Sequence, residues 1–349
     1  MFHRISTWLL PSLILLPLFI LPQVQVAFSQ IFSNSDNTIV NSPVEDTNKS
    51  AEANTILPMV STRDHFDLAT GKLREPPHNI TDYSKSGIPA CSPEIVIYVH
   101  GVGVDESSAK EQTQRVSMSL DANNYLIPVI GFSWDSNTDL HQKDWWKIAK
   151  EISQQNGPKL AQFIVDYMTD CRQTEQDTII RIIAHSLGAR VTESILANLN
   201  NSQAWNSNNF TIKSVHFLGA AIDSKVAEID TSFGKNIAHY VKNFYNLYSP
   251  EDNALETSYR DTEKEEALGL VGILNEQDEP ENYISHNVEM EILPFPDADG
   301  NGYLGCFDYG IIYWGDNHCG YMGFKYPYSN ILKDDGAINI IAEDWQKEL

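Results

Sequence analysis

Continuous apolar strands that alternate with amphipathic helices are the feature that most limits the fold of this chain. Three early runs are rich in β-branched and aromatic residues over their whole length, namely 95–101, 126–134 and 178–184. Three later runs have similar character, at 213–220, 240–248 and 283–293. Strands that are apolar on both faces belong in parallel sheets with helices on both sides. We therefore expect an α/β fold with a doubly wound, mostly parallel sheet.

The helical stretches lie between these runs. Residues 187–199 carry apolar side chains at intervals of four, as expected of a helix with one buried face. Residues 142–170 also have helical spacing, but Gly157 and Pro158 interrupt it. Because proline lacks the N–H that continues a helix, we predict two separate helices on either side of this pair.

The charge of the chain excludes two classes of partner. Its 349 residues contain 24 Lys and Arg against 47 Asp and Glu, which gives a formal net charge of −23. Such a chain repels the phosphates of nucleic acids and of anionic membrane surfaces. Seven Trp, 15 Tyr and 14 Phe also exclude a largely disordered protein. We expect a folded protein with no nucleic-acid partner.

The N-terminus has the layout of an export signal. Residues 8–22 form an apolar run without charge, and the small residues Ala27 and Ser29 offer a cleavage site. The run is shorter than the roughly 20 apolar residues that span a membrane. A cleaved signal peptide over 1–29 is therefore favoured over an uncleaved signal anchor. We expect a secreted or cell-surface protein that keeps no stable membrane insertion after cleavage.

Composition divides the rest of the chain. Residues 30–60 are polar and acidic without periodicity, which is typical of a flexible tether. Residues 61–349 then form one domain, in which the strand and helix pattern begins at residue 91. Within it, 253–282 is expected to be a lid or an insertion, and the acidic stretch 261–267 is expected to be a solvated helix face.

A tight strand-to-helix turn marks Ser186 as a nucleophile. The strand 178–184 continues through the sequence AHSLG directly into a helix, and the small residues Ala184 and Gly188 flank Ser186 two positions before and after. Such a turn lifts the hydroxyl above the sheet edge. It also directs the N–H of Leu187 and the helix N-terminus towards the same point. Leu187 is thus a candidate donor to an oxyanion.

This turn resembles the nucleophile elbow of the α/β-hydrolase superfamily, with Ala184 in place of the usual first glycine. The segments GFSW at 131–134, SPEDNAL at 249–255 and the loop around His318 resemble, more narrowly, the uncharacterised α/β hydrolases of the DUF900 type. The general resemblance covers 91–325. It implies a serine hydrolase with an ester as substrate and with the chain order nucleophile, acid, histidine.

The resemblance also assigns the loop after the strand 95–99. In this superfamily a backbone N–H that follows a His-Gly pair completes the oxyanion hole, which makes Val102 the second candidate donor. His100 and Gly101 form the pair itself, and His100 is expected to be structural rather than a base. With Trp134, both are expected to lie beside the bound substrate.

Two residues are expected to complete a catalytic triad. Asp252 follows the strand 240–248 and is the favoured acid, while Asp223 and Glu251 remain its rivals. His318 lies in a glycine-rich loop and is favoured as the base over His286, which lies in a strand-like run, because catalytic groups concentrate on loops.

Four cysteines suit two disulfides in an exported protein. In the usual strand order of the superfamily, the strands that follow Cys91 and Cys171 are neighbours, so the resemblance pairs these two residues. Cys306 then pairs with Cys319, and this second disulfide would fix the loop that presents His318.

The stretch DADGNGYLGCFD at 297–308 resembles a calcium loop of the EF-hand type. Its candidate ligands are Asp297, Asp299, Asn301, Tyr303 and Asp308. Asp308 replaces the usual glutamate, and prolines precede the loop where a helix normally enters. We expect this calcium to be structural, and we expect no cofactor in catalysis.

Together these features predict an exported serine hydrolase that cleaves a carboxylic ester through a Ser-His-Asp triad and an acyl-enzyme. Its substrate is expected to be a small-molecule or lipid-like ester. The alternative is a catalytically silent, calcium-stabilised cell-surface binding protein on the same scaffold, because a fold does not guarantee an activity.

Overall fold

The computed structural model describes residues 56–74, 78–139, 141–292, 316–325 and 332–348. The predicted signal peptide and most of the predicted tether lie outside the described residues. Cys306 lies outside them too, as do the five candidate calcium ligands Asp297, Asp299, Asn301, Tyr303 and Asp308. These predictions therefore remain predictions.

An eight-stranded sheet forms the framework. Its strands are β1 Met59–Ser61, β2 Ser84–Ser86, β3 Glu94–Val99, β4 Val129–Ser133, β5 Ile179–His185, β6 Ile212–Leu218, β7 Val241–Tyr248 and β8 Tyr283–Asn287. Their order is β2-β1-β4-β3-β5-β6-β7-β8, and all neighbours are parallel except β1 and β2. A separate antiparallel pair consists of β9 Phe324–Lys325 and β10 Leu332–Asp334. The predicted fold class is confirmed.

The helices follow the strands as expected of a doubly wound fold. They are α1 Glu106–Ala122, α2 Trp145–Gln173, α3 Gly188–Asn200, α4 Gln203–Ser207, α5 Ser232–Tyr240, α6 Arg260–Glu263, α7 Leu268–Val271 and α8 Ile338–Lys347. A π-helix lies at Ala254–Tyr259, and short 3-10 helices lie at Ser224–Ala227, Glu276–Asp278 and Asp316–Met322. No helix in the described ranges combines the length and the apolar character that a membrane crossing requires.

The two faces of the sheet form two hydrophobic clusters, because successive side chains of a strand point in opposite directions. In β3, Ile95 and Ile97 pack into the cluster that contains residues of α2, α3 and α5. Val96 and Tyr98 pack into the other, which contains residues of α1 and α8. All four side chains are buried. Burial on both faces explains why the strand is apolar throughout.

The prediction of a helix break at Gly157 and Pro158 is wrong, because α2 runs through both residues. Pro158 removes the N–H that would bond to Gln154, four residues earlier, but the hydroxyl of Ser194 on α3 donates to the Gln154 carbonyl at 2.7 Å. Gly157 permits the close approach of the two helices, because an added Cβ would lie 2.2 Å from Ser194 Oγ. The pair is a helix contact and not a helix terminus.

Replacing Ser194 with alanine is expected to lower the free energy of unfolding by about 1 kcal/mol, because the Gln154 carbonyl loses its donor. In a Pro158→Ala background the loss should shrink, since an alanine at this position supplies the missing N–H. Urea unfolding of the four proteins in this double-mutant cycle measures the difference. Equal losses in both backgrounds would contradict the assigned role of Ser194.

Two strand ends differ from the sequence predictions, and two cysteine predictions can be compared with the structure. The first strand begins at Met59, two residues before the predicted start of the domain, and β8 ends at Asn287 instead of 293. The predicted disulfide between Cys91 and Cys171 is present, with the Cα atoms 5.1 Å apart. Cys319 is also disulfide-bonded, but its predicted partner Cys306 lies outside the described residues.

Candidate active site

Ser186 occupies a strained turn between β5 and α3. Its φ is +54°, in the left-handed region that residues other than glycine rarely adopt. The surrounding backbone fixes this conformation, because the Ser186 N–H donates to Leu218 O at 3.0 Å and the Ser186 carbonyl accepts from Ala221 N at 3.1 Å. The turn is thus tied to the end of the neighbouring strand β6, which holds the hydroxyl in one place.

Glycine is required on two sides of this turn. A Cβ added to Gly188 would lie 2.4 Å from Val99 O, so α3 begins in direct contact with the end of β3. A Cβ added to Gly101 would lie 2.7 Å from the Cβ of Ser186. The loop after β3 therefore passes directly beside the candidate nucleophile, and any larger residue at either position would push the two segments apart.

Asp252 and His318 form a buried pair. The distance from His318 Nδ1 to Asp252 Oδ2 is 2.7 Å. The Asp252 side chain is 0% exposed, and the His318 side chain is 5% exposed. Since the carboxylate accepts the Nδ1 proton, Nε2 is left as the basic nitrogen of the imidazole. The other carboxylate oxygen, Oδ1, accepts from Leu255 N at 3.1 Å. His318 lies in the 3-10 helix Asp316–Met322, where the sequence predicts a loop.

Two further side chains support this pair, and the sequence analysis identified neither. The hydroxyl of Tyr321 donates to Asp252 Oδ2 at 3.1 Å, and burial raises the pKa of Tyr321 well above its usual range, which keeps the hydroxyl protonated. Nε2 of His185 donates to the His318 carbonyl at 2.8 Å, and burial lowers the pKa of His185 to about 3. Tyr321 follows His318 by three residues in one helical turn, a spacing that is visible in the sequence.

The rival residues of the sequence analysis have other partners. Asp223 caps the 3-10 helix Ser224–Ala227 through a bond from Lys225 N at 3.0 Å. The carbonyl of Glu251 accepts from the Asn317 side chain. His286 lies in β8, and its Nε2 is 3.1 Å from a carboxylate oxygen of Asp344 in α8. Their described contacts do not include Ser186.

A small cavity of about 30 Å³ joins the candidate groups, because Ser186 and His318 both line it. The rest of the wall is largely apolar and includes Val102, Trp146 and Tyr259. Among the described residues no hydrogen bond joins the side chains of Ser186 and His318. In ligand-free sites such bonds are often long and tighten when substrate binds.

The segment 254–263 supplies one side of the cavity. Ala254, Leu255 and Tyr259 belong to the π-helix and line the cavity, so the predicted lid or insertion 253–282 contacts the site. Glu263, at the end of α6, accepts from the Trp146 indole N–H and from the Lys150 ammonium, both on α2. The prediction that 261–267 is a solvated face is therefore wrong for Glu263, whose side chain is only 20% exposed.

The backbone N–H groups of Val102 and Leu187, the two candidate oxyanion donors, are both free to donate to a ligand. Val102 lines the cavity, and Leu187 is the residue before the first turn of α3. Within the described part of the chain, the backbone N–H of each lacks a hydrogen-bond acceptor. The two N–H groups that follow Val102 differ, because Gly103 N donates to Ser136 O at 2.8 Å and Val104 N donates to Ser136 Oγ at 3.1 Å. Two free donors beside a nucleophile are what an oxyanion requires.

His100 is a buried structural residue. Its Nε2 accepts from Trp134 N at 3.2 Å, and its Nδ1 donates to Gly101 O at 2.9 Å. Burial and, secondarily, the nearby Arg63 charge hold the pKa of His100 well below its usual range, so the ring is neutral. Trp134 is 0% exposed, stacks on this ring and donates its indole N–H to His100 O at 3.0 Å. The buried position of Trp134 gives no support to the prediction that this side chain contacts the substrate.

Arg63, which the sequence analysis did not single out, fastens the same loop. Its guanidinium lies 3.2 Å from His100 Nε2 and donates to Val104 O at 2.9 Å. It also donates to Ser133 Oγ at 2.7 Å, at the end of β4. Arg63 thus connects the segment after β1 to the loop that carries Val102. A lone arginine thirty-nine residues away along the chain gives no sequence signal of this contact.

Buried neutral histidines make stability depend on pH. Burial lowers the pKa of His185 to about 3 and that of His216 to about 4, and it holds that of His100 well below its usual range. Below about pH 6.5 the unfolded chain binds protons that the native protein does not, so the free energy of unfolding falls as the pH falls. We expect His185 and His216 each to contribute a loss of up to about 1.4 kcal/mol per pH unit as the pH falls from about 6.5 towards their native pKa values, and His100 to act in the same direction.

Urea unfolding at about pH 7.5, 6 and 5 measures this slope. A constant free energy of unfolding across the range, or a rise on acidification, would contradict the neutral state of these imidazoles.

Two solved structures are similar to parts of the chain. One is an uncharacterized protein from Bacillus cereus ATCC 10987, with 12% identity over 57% of this chain and 56% of that chain, and a TM-score of 0.34. The other is a gene product of Listeria innocua, with 12% identity over 56% of this chain and 83% of that chain, and a TM-score of 0.31. The chain thus spans just over half the length of the Bacillus protein. A search of the curated proteins found no match.

A family model gives a more specific result. The model is described as an alpha/beta hydrolase of unknown function, DUF900, and it matches residues 86–295. This range is more than half of the chain and includes Ser186, Asp252 and the loop of Val102, but not His318. The resemblance inferred from the sequence segments is therefore confirmed. The chain belongs to the DUF900 family of α/β hydrolases.

Proposed function

We propose that this protein is a serine hydrolase that cleaves carboxylic esters, with Ser186 as nucleophile, His318 as base and Asp252 as the acid that orients it. The observation that carries the proposal is the 2.7 Å contact between His318 Nδ1 and Asp252 beside a cavity that Ser186 also lines. The strained backbone of Ser186 adds support, because strain of this kind concentrates at functional sites.

In the first half of the reaction, Ser186 Oγ attacks the ester carbonyl carbon and His318 Nε2 accepts the hydroxyl proton. The N–H groups of Val102 and Leu187 donate to the oxyanion of the tetrahedral intermediate. The bond to the alcohol oxygen then breaks, and His318 returns the proton to the departing alkoxide. Asp252 stabilises the imidazolium while it exists. The product of this half is an acyl-enzyme on Ser186.

In the second half, a water molecule takes the position of the departed alcohol. His318 accepts its proton, the hydroxide adds to the acyl carbon, and the collapse of the second tetrahedral intermediate returns the proton to Ser186 Oγ. Burial of the pair formed by His318 and Asp252 strengthens its electrostatic contacts in both halves, because little water competes with them.

The cavity suggests which esters react fastest. A volume of about 30 Å³ with an apolar wall suits an acyl group of only a few atoms. The segment 254–263 forms part of this wall, and the contacts of Glu263 with α2 hold the segment in place against a longer chain. Among small-molecule and lipid-like esters we therefore propose that short acyl chains are preferred.

We also propose that the protein acts outside the cytoplasm. The disulfide between Cys91 and Cys171 supports this, since disulfides persist mainly in oxidising compartments. Export through the predicted signal peptide and structural calcium at 297–308 remain part of the proposal and rest on the sequence patterns.

A fluorophosphonate probe tests the nucleophile, because it reacts covalently with activated serines. We expect wild-type protein to be labelled and Ser186→Ala to be unlabelled, while the matched variant His286→Ala keeps its label. A folded wild-type protein that resists labelling, or a Ser186→Ala variant that labels equally, would overturn the assignment.

Turnover of p-nitrophenyl esters with and without chelator then separates the enzyme from the alternative, a calcium-stabilised binding protein that hydrolyses no acyl donor.

A further inference from the structure

Two histidines and an aspartate meet in the segment between β1 and β2, outside the candidate active site. The metal-binding atoms of His65, His78 and Asp82 all lie within 4.8 Å of one another. The side chains are 7%, 22% and 29% exposed, so the cluster is partly buried and still open to solvent. Two imidazoles and a carboxylate are common ligands of zinc.

The distances in this cluster are those of metal ligands and not those of hydrogen bonds. His65 Nδ1 lies 3.6 Å from Asp82 Oδ1, and His78 Nδ1 lies 3.4 Å from Asp82 Oδ2. An N–H···O bond is shorter, at about 2.7–3.2 Å. Two ligand atoms bound to one tetrahedral zinc at about 2.1 Å are about 3.4 Å apart. The two observed distances involve different carboxylate oxygens of Asp82, and each is close to the edge length of a coordination tetrahedron.

His65 gives an independent indication of a ligand. Its side chain is more than nine-tenths buried, and its Nδ1 has no hydrogen-bond partner among the described residues. Buried polar atoms without a partner are rare in native proteins and often mark an ion or a water. The ring stacks on His78 with centroids 3.8 Å apart. The two rings lie face to face, and each Nδ1 atom lies near a carboxylate oxygen of Asp82. Binding of one ion by both nitrogens requires one ring to rotate out of this stack.

Lys159 determines which metal suits the cluster. Its buried ammonium donates to Asp82 Oδ1 at 2.8 Å and also to the Asn79 carbonyl. This contact orients the carboxylate in the way that outer-shell partners orient metal ligands. The ammonium also balances the negative charge of the Asp82 carboxylate. The two imidazole nitrogens must therefore supply much of the affinity for a metal ion. Calcium and magnesium prefer oxygen ligands, whereas zinc and its neighbours accept imidazole readily.

We propose that His65, His78 and Asp82 form a structural site for a divalent transition-metal ion, zinc being the best match. The ion joins the segment around His65 to the segment 78–82. Arg63 belongs to the first segment and contacts His100 and Val104. The site therefore stabilises the chain that fastens the loop of Val102, without touching the reacting groups.

Cobalt titration of the full chain tests this proposal, because Co²⁺ at a tetrahedral site absorbs strongly in the visible range. The protein is first stripped with a chelator and gel-filtered. We expect one equivalent of Co²⁺ to give such a band and Zn²⁺ to displace it. The band should be lost in His78→Ala and kept in His239→Ala, a matched control at an exposed histidine outside the cluster.

Thermal unfolding gives a second readout that does not depend on catalysis. Zn²⁺ should raise the Tm of wild type and of His239→Ala, but not that of His78→Ala, because only a site present in the native state stabilises it. Absence of a stoichiometric cobalt band in folded wild type would overturn the proposal, as would a His78→Ala variant that binds Co²⁺ like wild type. Circular dichroism of each variant verifies that it is folded.

Discussion

Replacing Asp252 with asparagine is expected to lower kcat for p-nitrophenyl acetate about 10⁴-fold, the loss known for this change in serine hydrolases with a triad. Asp252 Oδ2 accepts from both His318 Nδ1 and the Tyr321 hydroxyl. The amide of asparagine offers only one oxygen, and its NH2 group cannot accept the Nδ1 proton. The imidazole is then free to adopt the tautomer with the proton on Nε2, which cannot remove a proton from Ser186.

The matched control for this change is Asp223→Asn. Asp223 is the other aspartate that the sequence allows, but it caps a 3-10 helix through Lys225 N. We expect this variant to keep kcat within about threefold of wild type and to lose at most about 1 kcal/mol of stability, as is typical of a lost cap. An equal loss of kcat in both variants, or a larger loss in Asp223→Asn, would mean that the acid is assigned to the wrong strand end.

Those parts of the fold that depend on local pattern could be predicted from the sequence. The strands β3, β5 and β6 are largely apolar because both of their faces are buried, and this pattern is visible without a structure. The turn at Ser186 was also predictable, since its tight geometry requires small residues at fixed positions. Gly188 meets this requirement, because an added Cβ at this position would lie 2.4 Å from Val99 O.

The features that were missed depend on contacts between distant residues. Pro158 normally ends a helix, but a hydroxyl of α3 replaces the bond that it removes, and no local rule includes Ser194. Arg63 reaches the loop after β3 across thirty-seven residues, and β1 has only three residues, too few to show a period. The contact of His185 with the His318 carbonyl likewise needs the fold, because the two residues are 133 positions apart, whereas the spacing of Tyr321 from His318 is visible in the sequence.

Removing the disulfide between Cys91 and Cys171 is expected to lower the free energy of unfolding by about 4 kcal/mol. The two residues are 80 positions apart, so the crosslink closes a long loop and strongly restricts the unfolded chain. That loop contains β3, α1, β4 and nearly all of α2. Cys171 is 0% exposed and packs in the main hydrophobic cluster, so alanine is a better replacement than serine.

Urea unfolding of the Cys91→Ala, Cys171→Ala double variant measures this loss against wild type. A reductant alone is a weaker test, because Cys319 is disulfide-bonded as well and both crosslinks would open. Reducing the double variant therefore isolates the contribution of the second disulfide. A loss below about 1 kcal/mol would mean that the unfolded chain is already compact around this loop, so that the crosslink removes little entropy.

Because the crosslink lies before β3 and near the end of α2, away from the strand ends that carry Ser186 and Val102, we expect kcat of the folded double variant to stay close to that of wild type.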